Sequence, residues 1–409
     1  MITTINNKHK KLNVPNLRFP DFRGEWKEER LSDIADLYKG AGISKDQLSV
    51  DGEPCILYGE LYTKYKSETI KEVISKTSID NTKLVRSKAN DVIIPCSGET
   101  AEDIATARCV LNDNILLGGD LNIIRLHGHD GSFMSYQLNG KRKYDIAKVA
   151  QGVSVVHLYG EHLKGVRTIN PSFDEQKKIS SLLALLDERI ATQNKIIDKL
   201  QSLIKGLNDS LYTQHGGEVL TSFSNLGTSY SGLSGKSAQD FGSGKPFITY
   251  LNVYSNNVIN ENDFQYVAIK DGEKQNAVEY GDVLFTLSSE TPEEVGIGSV
   301  YLGKENVYLN SFCFGIHITN TKVAFPPYLS YYVSSTAFRK FIYPYAQGST
   351  RFNLCKADFE KASIKLPTLE KQKRIYSILN HIDSKIETER QMLDLYNSQK
   401  QYLLRQMFI

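Results

Sequence analysis

Metal-ligand and disulfide spacings are missing from this sequence. Its five cysteines, Cys55, Cys96, Cys109, Cys313 and Cys355, are odd in number and never fall as CxxC. That argues against a zinc site and against a disulfide framework in a chain of 409 residues. Long apolar runs are missing too, and the greasiest stretch, Leu182–Leu186, is far too short for a membrane span. Behind the basic residues of Met1–Lys11 there is no apolar region, so no signal peptide is expected. Neither sign of charge dominates: 49 Lys and Arg stand against 47 Asp and Glu, for a net charge of +2. A polyanionic partner must therefore be met by a local patch and not by the whole surface.

Catalytic signatures are equally scarce. No GxSxG, HExxH or aromatic Asn/Asp-Pro-Pro run occurs. Gly232–Ser237 ends like a phosphate-binding loop, but Tyr230 stands where the first glycine belongs. The acids of Asp21…Glu25-Trp26-Lys27 are too close in sequence for two strands to bring both onto one metal. His127-Gly-His129 lacks further ligands and reads as a turn. The expectation is a reduced, cytoplasmic protein with no catalytic residues, no metal and no membrane contact.

What the sequence does have is a repeat. Leu31–Gly40 matches Phe223–Gly232, Pro54–Tyr62 matches Pro246–Tyr254, and Asp91–Thr100 matches Asp282–Thr291. Ala150-Gln-Gly152 matches Ala346-Gln-Gly348, and Glu175–Ile179 matches Lys371–Ile375. The order is preserved and the offset stays at roughly 191–196 residues, too long for a solenoid repeat. One domain-plus-helix unit has been duplicated.

Each copy ends in a heptad helix. The first seam runs Ile179, Leu183, Leu186, Ile190, Gln193, Ile197, Leu200, Ile204, Leu207, Leu211. The second runs Ile375, Leu379, Ile382, Ile386, Glu389, Leu393, Tyr396, Lys400, Leu403, Met407. The steps of four and three alternate without error, as in a coiled coil. Pro171 and Pro367 precede the helices, and Asp174 and Glu370 place acid in their first turns. A twofold relation between the copies predicts that the helices pair antiparallel, with Gln193 and Glu389 at equivalent polar seam positions.

Between the helices, Cys55–Tyr62, Asp91–Ile94, Phe247–Tyr254 and Asp282–Leu287 read as strands. Strand alternation in 55–62 puts Tyr58, Glu60 and Tyr62 on one face, and its copy does the same with Tyr250, Asn252 and Tyr254. A carboxylate accepts from cytosine and Asn pairs with adenine, so the two faces suit different half-sites of DNA, although a half-buried tyrosine face with one solvated polar residue explains the pattern as well. The loops Gln151–His157 and Gln347–Asn353 open on a glycine turn and carry donors for phosphates or base edges. They contribute Gln151, Ser154 and His157 in one copy and Gln347, Thr350, Arg351 and Asn353 in the other. Ser97, Glu99 and Thr100, with Ser288, Glu290 and Thr291, follow strands and are weaker candidates. Basic residues at Lys64, Lys66, Lys71, Lys141, Arg142 and Lys143 suit phosphates, although a merely solvated face explains them as well.

Val14-Pro-Asn-Leu-Arg-Phe-Pro-Asp-Phe22, followed by Trp26 and Leu31-Ser-Asp-Ile34, resembles the start of type I restriction-modification specificity subunits. The helix openings Pro171…Gln176…Ile179 and Pro367…Gln372…Ile375 are similar to that family's repeated ones. The resemblance covers essentially the whole chain. It implies an α+β fold of two duplicated mixed α/β target-recognition domains separated by a long antiparallel two-helix coiled coil. The boundaries then read as an N-terminal arm at 1–24, recognition domains at 25–170 and 214–366, and conserved helices at 171–213 and 367–409. It also implies double-stranded DNA, two methyltransferase subunits and restriction/translocase subunits as partners. S-adenosylmethionine, ATP and Mg2+ would be held by those partners and none by this chain. A two-domain coiled-coil scaffold for protein partners is the competing reading.

Overall fold

The computed structural model describes residues 13–80, 83–152, 155–215 and 217–409. The chain divides into two compact units. Unit 1 runs to Asn194 and takes in Gln391–Ile409, and unit 2 is Lys195–Arg390. Both are mixtures of sheet and helix.

In unit 1, five strands lie in the order Ala35–Lys39, Leu121–Leu126, Asp91–Pro95, Arg108–Val110, Thr69–Ile70. The central strand Asp91–Pro95 is buried throughout. Its alternate residues serve two cores: Val92 and Ile94 join Ile124, Met134 and Leu138, while Ile93 joins Ile56, Leu117 and Ile123. Unit 2 repeats the order with Gly227–Ser231, Cys313–Ile318, Val283–Thr286, Gly298–Val300. Its main core is aromatic where the first is aliphatic: Phe223, Phe285 and Phe359 stand where unit 1 has Leu31, Ile94 and Leu163. The duplication is thus one topology filled by two different sets of side chains.

Two long helices follow the globular parts: α1, Phe173–His215, and α2, Leu369–Met407. Every seam position is buried or half-buried. In unit 1 the start of α1 (Ile179, Leu183) shares a core with the end of α2 (Leu403, Leu404, Met407). In unit 2 the end of α1 (Ile204, Leu207, Leu211) shares one with the start of α2 (Ile375, Leu379). The pairing is antiparallel in each unit. No helix among the described residues is long and apolar enough to cross a membrane.

The repeated glutamine explains the shared helix openings. Gln176 is buried; its Oε1 accepts from the Asp130 N–H and its Nε2 donates to the Pro171 carbonyl. Gln372 does the same with the Phe325 N–H and the Pro367 carbonyl. One side chain thereby ties each long helix to the domain before it.

Two expected strands are shorter than their patterns suggest. The strands end at Ile56 and Ile248, and helical turns take over at Glu60–Thr63 and Tyr250–Ser255. The physical reason is periodicity. Residues four apart share a face in a strand and also in a helix, so Tyr58/Tyr62 and Tyr250/Tyr254 fit both. Residues two apart do not, and Glu60 and Asn252 are turned inward.

Candidate nucleic-acid interface

Three of the expected groups converge in each unit. In unit 2, Ser288–Ser289 pairs with Phe352–Leu354, setting Ser288 opposite Asn353, and Gln347 also lies opposite Asn353. The Tyr250 hydroxyl donates to the Ser288 carbonyl at 2.8 Å. Tyr250 and Tyr254 stack at 6.0 Å. The Tyr254 hydroxyl bonds Glu294, which raises the phenol and lowers the carboxyl, and Glu294 also accepts from Ser289 at 3.1 Å. Arg339 holds the loop behind Glu294 by donating to the carbonyls of Glu293, Val295 and Gly296.

Unit 1 repeats the strand pair and the glycine turn. Ser97–Gly98 pairs with Val156–His157, and Gln151 bridges to His157. Ser97 Oγ is 3.3 Å from His157 Nδ1. Thr100 caps the helix Ala101–Ile104 by accepting from the Asp103 N–H. Burial raises the Tyr62 phenol, and the charges of Tyr58, Asp103 and Glu99 add to the effect.

The turn glycines are required. Gly152 and Gly348 have φ of +127° and +142°, and a Cβ on either would meet a carbonyl oxygen, of Val155 or of Arg351, at 2.1 Å. They fold the chain back so that residues 348–351 stand exposed in unit 2. Thr350, Arg351, Asn353 and Gln347 are exposed, as are Gln151, Glu99, Thr100, Glu290 and Thr291. Ser154 lies outside the described residues.

Other expected readers are committed within the fold. Glu60 accepts from the Leu57 N–H at 3.0 Å, Lys64 Nζ at 2.6 Å and Ser75 Oγ at 2.5 Å. Asn252 Oδ1 accepts from the Asn260 N–H at 3.0 Å and its Nδ2 donates to the Asn260 carbonyl at 2.8 Å. Ser288 is buried in its strand. Of the basic residues, Lys64 pairs with Glu60, Lys71 with Glu188 and Arg142 with Asp145. Lys236, the lysine of the phosphate-loop look-alike, is held by Glu273.

Some neighbours escaped the sequence patterns. Phe312 is exposed, and the Arg351 guanidinium lies 6.0 Å from its ring centroid. Aligned by the repeat, its counterpart is Asp120, and that alignment was the available signal. The carbonyls of both accept from the chain after the central strand, Phe312 from the Leu287 N–H and Asp120 from the Cys96 N–H. Asp120 also lines a cleft of about 910 Å³ in unit 1, together with Tyr58, Tyr62 and Lys45. No single side chain announces that cleft in the sequence.

Comparison with known proteins follows the same twofold division. A family model described as type I restriction modification DNA specificity domain matches residues 23–202 and again 234–395. The type I restriction enzyme MjaVIII specificity subunit of Methanocaldococcus jannaschii is 26% identical over 199 residues, 48% of this chain and 44% of that protein. The putative type I restriction enzyme MjaX specificity subunit of the same organism is 24% identical over 435 residues, covering 93% of this chain and 92% of the relative. The type I restriction-modification S subunit from M. genitalium superposes with a TM-score of 0.60 at 14% identity, over 97% of this chain and 99% of the other. A chain from a structure concerning complex assembly and conformational transition of the type I R-M system gives 0.56 at 14% identity, over 93% and 96%. At such identities the structural likeness speaks to the fold.

Proposed function

The chain belongs to the type I restriction-modification DNA specificity family, and from that premise we propose that it reads a bipartite, asymmetric site on double-stranded DNA. Each unit reads one half-site through its patch of paired tyrosines, serine strand and glycine hairpin. The reading is carried by one observation: the same patch is built twice on the same backbone and tipped with different side chains. Around a shared glutamine (Gln151 and Gln347), Val155 and His157 stand in one copy where Arg351 and Asn353 stand in the other. Shared backbone with divided chemistry suits two different half-sites, since base edges are told apart by donor and acceptor pattern.

The chain itself does no chemistry in this proposal. It positions two methyltransferase subunits and the restriction/translocase subunits in the cytoplasm. S-adenosylmethionine, ATP and Mg2+ are bound by those partners. The seams of α1 and α2 fix the length of the unread spacer between half-sites.

The test is to map methylated adenines in DNA modified by the complex of this chain with its modification subunits. An asymmetric pair of half-sites with a fixed spacer is expected. A perfect palindrome would defeat the two-reader proposal, and methylation independent of this chain would favour a protein scaffold.

A further inference from the structure

Phe312 has no packing reason to be where it is. It is 56% exposed, on the turn between Val307–Leu309 and Cys313–Ile318. The turn is nevertheless well fixed. The Phe312 N–H donates to Asn310 Oδ1 at 2.9 Å, and its carbonyl accepts from the Leu287 N–H at 2.9 Å. A ring held outward on a rigid turn is a platform.

What stands over the platform is Arg351. Its guanidinium lies 6.0 Å from the Phe312 ring centroid, within cation–π range. It is also close enough to Tyr250 for its charge to oppose the rise that burial gives that phenol. No hydrogen bond or ion pair ties Arg351 among the described residues, and the residue is exposed, so its five donors are undiverted. The backbone below it is set by Gly348 and by the ladder between Gln347 and Asn353.

Unit 1 answers at both positions with other chemistry: Asp120 for Phe312 and Val155 for Arg351. Asp120 holds a left-handed φ of +57°, and Val155 is exposed. A carboxylate and an isopropyl group accept a donor and meet a methyl; neither can grip two acceptors.

We propose that Phe312 is a positioning residue for DNA reading by unit 2, holding the Arg351 guanidinium edge-on to a guanine in the major groove. An arginine fork matches the O6 and N7 acceptors of guanine. An exposed arginine is otherwise spread over many rotamers, and the ring narrows that spread before DNA arrives. The exchange of the Phe–Arg pair for Asp–Val is then a main difference between the two half-site readers. The inference rests on the reading of the patch given above.

The experiment uses the complex with its modification subunits and duplexes carrying the mapped site with each base pair of half-site 2 varied in turn. Arg351→Ala should remove discrimination at one G·C pair by roughly tenfold to a hundredfold. Phe312→Ala should weaken discrimination at that same pair by roughly twofold to fivefold, leaving other positions and the salt slope unchanged. Phe312→Tyr should restore it. In the Arg351→Ala background, Phe312→Ala should do nothing further. Thermal melting should not move with either Phe312 variant, because the ring lies outside the core. Loss at other base pairs, an additive double variant, or an unaltered Phe312→Ala would overturn the platform while leaving the patch as reader. An Arg351→Ala complex with unaltered base preference would overturn the platform and Arg351's part in reading together.

Discussion

Glu60 and Asn252 occupy matching places in the two copies and do matching work by different chemistry. Each braces the turn after a strand, Glu60 with three donors and Asn252 with both backbone groups of Asn260. Asn252→Ala strands a buried N–H and carbonyl, so a loss of about 1–3 kcal/mol is expected in denaturant melts. The bases preferred at half-site 2 should not change. The same two residues mark where sequence legibility stopped. Tyrosines four apart satisfy strand and helix alike, so the pattern kept the tyrosines on one face but chose the wrong member to join them there. A residue two places on distinguishes the two periods only through its hydrogen bonds, and those depend on Ser75 and Asn260, which lie outside the strand pattern. The exposed hairpin residues were legible because a glycine with positive φ forces a turn wherever it stands.

Among the elements, the end of α2 carries the most consequential polar group. Lys400 Nζ lies 2.6 Å from both Glu68 and Asp187, and Asp187 also accepts from the Tyr136 hydroxyl at 2.7 Å. Burial disfavours the ammonium, but the two carboxylates more than offset this and hold its pKa above the ordinary 10.5. A raised lysine pKa stabilises the fold fully below that ordinary value, and the contribution fades as pH climbs past it. Unit 1 should therefore lose stability above about pH 10.5, the ordinary lysine value, in pH-dependent melts. Lys400→Met leaves two buried carboxylates facing each other and should cost about 3–5 kcal/mol. Adding Glu68→Gln and Asp187→Asn should recover much of that. The heptad pattern made the seam legible residue by residue. It put Lys400 in the seam but could not reveal its partners, which come from a loop and from the facing helix. The equivalent position in the first seam is Ile204, which joins an apolar core. A second prediction belongs to the hairpin. Gly348→Ala forces a Cβ into the Arg351 carbonyl and should abolish preference in half-site 2 with only a small change in melting, measured on the same duplex series.

At the scale of the whole molecule, each long helix serves both units: α1 passes from unit 1 into unit 2 after Asn194, and α2 returns after Arg390. Adding one heptad to a single helix shifts its seam against its partner. Adding one to both, beside Gln193 and Glu389, keeps the seams matched and lengthens each helix by about 10 Å. At about 3.4 Å per base pair, the spacer should grow by about three base pairs, with affinity reduced because the half-sites also rotate. Methylated-site mapping of the doubly extended chain reads this directly. An active variant with the original spacer would place the ruler elsewhere.

Sharing helices in this way also sets an order of manufacture. Met407 and Phe408 fill the core around Trp26, Phe133 and Ile179, yet they are synthesised after the whole of unit 2. On the ribosome, unit 1 is therefore begun before unit 2 and completed after it. Unit 2 can close as soon as Arg390 emerges, while unit 1 waits with a groove open where Gln391–Ile409 will lie. A nonsense codon near position 390 would thus harm unit 1, although the residues it removes follow unit 2 in the chain. It would also leave that apolar seat open for good, where in the full chain it stays open only until Gln391–Ile409 is made.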